Sequence, residues 1–247
     1  MRRPVFAAFD QGQIPDIAVF SQANTPLGLD LDRLIAALQK FVTDYVAPVW
    51  GTPARLARST GFKKGAWAFV FLDTADQANA LAYHELTPDG FPLSKVFAET
   101  IADAGASLTV AASHELVEML VDPAINLLSL GPDPKAAYAY ESADPVEAES
   151  LGFRVNGMLM SDFVYPSYFE SFRKPKSTKF DNRGKVMRPF QILAGGYQLV
   201  FKNGEWSQLT ATKAKARALA REDRRQHRSE IRKMRPNRRR RSRPTRR

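Results

Sequence analysis

Cysteine is missing altogether from the 247 residues, so no disulfide and no thiolate metal site can be built. That absence fits a cytosolic protein. Histidine is almost as scarce. There are three, at positions 84, 114 and 227, so any imidazole chemistry has very few places to sit. No apolar run approaches the roughly 18 residues that would span a bilayer, and no membrane association is expected. The start, Met1-Arg2-Arg3-Pro4, leads into an apolar stretch that Asp10-Gln11-Gly12-Gln13 cuts too short for a signal peptide. Gly-rich phosphate loops of either common type are absent, as is a Gly-x-Ser-x-Gly elbow, which argues against nucleotide hydrolysis, dinucleotide binding and serine hydrolysis.

Hydrophobic residues make up 44% and aromatics 11% of the chain, enough for a sizeable core. The net charge of +10 hides two unequal parts. Residues 213–247 hold 17 of the 36 Lys and Arg and 3 of the 26 Asp and Glu, a net +14, which leaves residues 1–212 at −4. The expected organisation is a mildly acidic globular domain over 1–212 and an Arg-rich tail over 213–247.

Short apolar runs at Ile17–Phe20, Ala66–Leu72 and Lys95–Ala98 read as strands. Between Asp30 and Val46 the apolar residues follow a helical period, with Asp30 or Asp32 near its start and Pro48 expected to stop it. Asn156-Gly157 and Asn203-Gly204 mark two hairpins, whereas 172–187 reads as a long basic loop. Strands and helices are mixed without repeats, which predicts an α+β fold with a mixed sheet.

The richest stretch is Ser107 to Pro123, read as one amphipathic helix. Residues four apart share a helix face, so His114 and Glu118 point the same way and Glu115 lies one step round. The layout is that of the H-E-x-x-H helix, in which the i and i+4 residues hold a metal and the intervening Glu acts as base; here the second ligand position is Glu. A third ligand is available about 25 residues on, in Tyr140-Glu141-Ser142-Ala143-Asp144-Pro145. One imidazole with two carboxylates suits zinc, and also manganese or iron. The plain alternative is a solvated helix face carrying Glu115 and Glu118. Against it stand the scarcity of histidine, the apolar character of the helix around His114, and the carboxylates that follow at a workable distance.

The segment from Ser113-His114-Glu115-Leu116-Val117-Glu118 to Asp122-Pro123, followed by Glu141-Ser142-Ala143-Asp144, resembles the zincin superfamily of metallopeptidases. With Ala47-Pro48-Val49-Trp50-Gly51 and Tyr83-His84-Glu85-Leu86-Thr87-Pro88, the wider pattern over residues 15–170 is similar to zincin-like proteins of tailed phages and prophages. The resemblance implies a zincin-like fold, a divalent metal such as zinc on His114, Glu118 and one of Glu141 or Asp144, and Glu115 as catalytic base. In one zincin branch a downstream Glu-x-x-x-Asp supplies a ligand and an Asp that orients a metal-bound His; here the spacing is one residue short, so the roles of Glu141 and Asp144 are exchangeable. A phage setting implies the cytoplasm of an infected or lysogenic bacterium, or the virion, with virion proteins as partners. The rival reading is a phage structural or assembly protein that keeps the fold without turnover.

Two further groups are candidates. His84 is expected on a loop or edge strand in a structural role, the alternative being that it reaches a nearby site as a ligand. Tyr165 and Tyr168 could donate to an oxyanion, but aromatic packing under the helix is the commoner role.

The tail divides into a helix-forming part, Lys213–Lys233, and a low-complexity part with Arg235, Arg238, Arg239, Arg240, Arg241 and Arg243. With little apolar surface, it is expected to order only on binding. Its arginines suit nucleic-acid phosphates, read without sequence preference; the other target is an acidic protein surface.

Overall fold

Trp67–Leu72, the most aromatic run, takes the centre of a five-stranded sheet. A computed structural model describes residues 14–77 and 80–211, so the Arg-rich tail and its six named arginines lie outside the described residues. In chain order the elements are β1 (Asp16–Ser21), α1 (Leu31–Phe41), a wide π-type turn (Val42–Val46), α2 (Ala47–Trp50), β2 (Arg55–Arg58), β3 (Trp67–Leu72), β4 (Ala82–Leu86), β5 (Pro92–Phe97), α3 (Ala98–Asp103) and α4 (Leu108–Val121). There follow β6 (Leu128–Leu130), β7 (Ala136–Ala139), β8 (Phe153–Val155), β9 (Met158–Met160), β10 (Tyr197–Lys202) and β11 (Glu205–Thr210). The chain is α+β, as expected.

The first sheet runs β2-β1-β3-β5-β4. Its first four strands are parallel, and the edge strand β4 returns antiparallel to β5. Strand side chains alternate between faces. Ile17, Val19, Phe69, Phe71 and Val96 therefore point to one side, where Leu34, Leu38 and Phe41 of α1 and Leu116, Val117 and Leu120 of α4 close over them in one core. Ala68, Val70, Phe20 and Leu93 form a separate cluster on the other face. Completely burying a side chain such as Phe41 or Phe69 is worth about 1.5–3 kcal/mol. The two-helix layer is thus held firmly against the sheet.

A second sheet, β11-β10-β7-β6, is wholly antiparallel. Both expected hairpins are present. Asn156 and Gly157 have φ of 48° and 81°, and Asn203 and Gly204 have φ of 53° and 86°, the left-handed pairs that two-residue turns require. Residues 172–187 are irregular, and Asp181 pins this region by accepting from the backbone N–H groups of Lys185 and Val186 at 2.9 and 3.0 Å.

Three expectations need correction. Pro48 does not stop the first helical run; the chain continues to Trp50 and ends at Gly51, whose φ is 69°. The preceding π-type turn, with Ala47 N–H donating to the Val42 carbonyl, widens the helix where the proline ring would otherwise meet the carbonyl four residues back. Strand β2 and helix α3 carry no clear periodicity and were not expected. Finally, α4 is not amphipathic in its setting: twelve of its fourteen residues are buried, so it runs through the interior with the first sheet on one side and β9 on another.

Candidate metal centre

Ser107 starts α4, its hydroxyl accepting from Val110 N–H at 3.3 Å. Two hydroxyls then fasten the helix to the β8–β9 hairpin. Thr109 donates to the Leu159 carbonyl at 2.5 Å, and Ser113 accepts from Ser161 N–H at 2.8 Å. At the far end, Asp122 is fully buried and receives the backbone N–H groups of Asn126 and Leu127, and Pro123 prevents another turn. With both ends held, one turn of α4 presents His114, Glu115 and Glu118 in a fixed arrangement.

The partner carboxylate comes from the short 3-10 turn Asp144–Val146. Two contacts set its position. Ala143 N–H donates to Glu118 Oε1 at 3.2 Å, and β10 approaches so closely at Gly196 that a Cβ there would overlap the carbonyls of Pro145 and Asp144. That approach brings the neighbouring Tyr197 hydroxyl onto Asp144 Oδ1 as a hydrogen-bond donor.

The outcome is a buried constellation. His114 Nε2 lies 3.4 Å from Glu118 Oε1 and 3.3 Å from Asp144 Oδ1. One donor atom from each of the three residues falls within 4.8 Å of the other two, so the group could hold a metal ion. Ligands about 2.0–2.1 Å from a tetrahedral metal stand roughly 3.3–3.4 Å apart, close to the separations seen here. Asp144 Oδ2, fully buried and without a hydrogen-bond partner, is a further sign that the donor set fits a cation. His114 is held well above its ordinary range: burial opposes its charge, but the carboxylates of Glu118 and Asp144 outweigh that, with Glu115 adding to them.

Glu141 is buried, yet it is not part of the converging group; the turn delivers Asp144 instead. Glu115 meets His84. The edge strand β4 pairs His84 with Ser94 of β5, and the alternation turns both side chains towards α4. His84 Nδ1 lies 3.2 Å from Glu115 Oε2 and 3.9 Å from Glu118 Oε2, forming a second group with metal-ligand spacing. The Ser94 hydroxyl reaches Met119 Sδ at 3.2 Å, packing strand against helix beside it. Tyr83 and Glu85 face the other way, towards Lys95.

Tyr168 is core: it is fully buried, donates to Gln198 Oε1 at 3.2 Å, and packs against Phe169 and Phe190. Tyr165 sits beside Phe163, with its hydroxyl 3.5 Å from Asn182 Oδ1. Tyr197 was not foreseen. Before folding it is simply an aromatic residue in a hairpin strand, and only the packing of β10 on the Asp144 turn gives it a role.

No protein-family model, curated protein or solved structure matches the chain. Among the described residues no helix is long and apolar enough to cross a membrane.

Proposed function

We propose that the protein is a zincin-like metal-dependent hydrolase acting on peptide bonds, with His114, Glu118 and Asp144 as ligands to a divalent cation such as zinc. The observation that carries this reading is the convergence of an imidazole and two carboxylates, from a helix and from a turn that follows it in the chain, at separations of 3.3–3.4 Å. A cation held there would supply Lewis-acid polarisation of a carbonyl and acidification of a water. Glu115 neighbours the ligands on the same helical turn. As base it would take the proton of the attacking water and pass it to the leaving amine. His84 holds the Glu115 carboxylate in position, and β4, the end strand of its sheet among the described residues, would pair with an extended peptide.

A specific observation also favours the non-catalytic alternative, a phage structural or assembly protein. The exposures of His114, Glu118 and Asp144 are 7%, 0% and 0%, as enclosed as a site that serves only to hold the fold. One experiment separates the two. Purified protein is analysed for bound metal by elemental mass spectrometry and incubated with a diverse peptide library. Hydrolysis predicts that Glu115→Gln abolishes cleavage yet keeps the equivalent held by His114, whereas His114→Ala loses both. Bound metal without any cleavage supports the structural role; wild-type cleavage by Glu115→Gln removes the proposed mechanism.

A further inference from the structure

We propose that Glu118 bridges two cation positions, the second formed by His84, Glu115 and the other oxygen of Glu118. This rests on the reading of His114, Glu118 and Asp144 as a metal site and extends it. The two carboxylate oxygens of Glu118 face different partners: Oε1 lies 3.4 Å from His114 Nε2, and Oε2 lies 3.9 Å from His84 Nδ1. On the His84 side, Glu115 Oε2 completes a trio whose donor atoms all fall within 4.8 Å of one another. Each side therefore has one imidazole and one carboxylate of its own and shares the third ligand.

A single carboxylate binding one metal through each oxygen is a normal support for a pair of cations about 3.5–4 Å apart. The setting is favourable. His84, Glu115 and Glu118 are 3%, 3% and 0% exposed, which places two carboxylates in a region where an uncompensated charge is costly. The elements are rigid too, since His84 is fixed by strand pairing and both glutamates by an interior helix. One imidazole with two carboxylates on each side suits a first-row divalent ion such as manganese, iron or zinc.

The second position has a functional consequence. A cation on Glu115 Oε2 occupies the carboxylate assigned as base, so loading the His84 side and using Glu115 for proton transfer are mutually exclusive. Excess metal is then an inhibitor, and the active form carries its cation only on the His114 side.

The test is a manganese titration of the full chain after chelator treatment, read by metal stoichiometry and electron paramagnetic resonance. The expected result is two equivalents, with the second producing an exchange-coupled spectrum in place of the six-line signal of isolated manganese. His84→Asn is expected to bind one equivalent with an uncoupled signal, and Asp144→Asn to lose the other position. Saturation of the wild type at one equivalent, or two equivalents without coupling, overturns the bridge. This readout needs no variant. If His84→Asn leaves a single equivalent that Asp144→Asn removes, and the wild type also binds only one, the second position falls and the first stands. If Asp144→Asn leaves loading unchanged, the first position falls and the shared bridge falls with it.

Discussion

The phenol of Tyr197 donates a hydrogen bond to the carboxylate of Asp144, 53 residues earlier in the chain. Such a contact fixes a ligand's orientation and its basicity, and losing one typically costs about 10–100-fold in metal affinity. Tyr197→Phe keeps the ring and its packing but removes the donor. Zinc affinity, measured by competition with a chelating dye, is expected to fall about 10–100-fold, with a stability loss of roughly 1–3 kcal/mol in the metal-free protein. Unchanged affinity would show that Asp144 is not a ligand or that its orientation is set elsewhere.

A second prediction concerns pH and the buried carboxyl of Asp162. The Asp162 carboxyl is pushed up to about 8, by burial first and then by the neighbouring Asp181 carboxylate. In the unfolded chain it would titrate near 3.9. Between about pH 4 and pH 8 the folded state therefore holds a proton that the unfolded state has lost. This contribution to stability is complete below the unfolded value and is lost as pH rises through the folded one. The melting temperature is expected to fall between pH 5 and pH 9, by about 2–4 °C for each kcal/mol lost in a chain of this size. Asp162→Asn, which resembles the protonated acid, should flatten that fall; a variant curve parallel to the wild type would exclude the pair as its source.

A third prediction concerns residues 213–247. Removing them takes a net +14 from the chain and leaves a body of −4. The shortened protein is expected to fold normally, because the segment contributes little apolar surface. It should also lose binding to mixed-sequence DNA and RNA. If the six arginines from Arg235 to Arg243 each neutralise one phosphate, binding by the full chain weakens about a thousand-fold between 50 and 200 mM salt. Absence of binding by the full chain even at low salt would assign the tail to an acidic protein surface.

Local periodicity was sufficient for much of this molecule. The apolar run around Phe69 reads as a strand from its aromatic and β-branched residues, Asp30 caps α1 by accepting from Arg33 N–H at 2.8 Å, and the two Asn-Gly pairs mark sharp turns. The i, i+4 spacing of His114 and Glu118 likewise follows from helix geometry alone. Local signals mislead where a long-range contact overrides them. Pro48 stays within a helical run because the chain widens before it, and α4 is enclosed because a sheet and a hairpin cover faces that its own pattern does not distinguish. The choice of Asp144 over Glu141 could not be read from spacing either. It depends on Ala143 docking on Glu118 and on Gly196 admitting β10 against the turn. His84 shows the division most clearly. Its residue type made it a candidate, but only pairing with Ser94 on the edge strand determined which face it would take and which carboxylates it would meet. A helix carries its spacing in the chain, whereas strand register and turn docking are settled by burial of surfaces far apart in sequence.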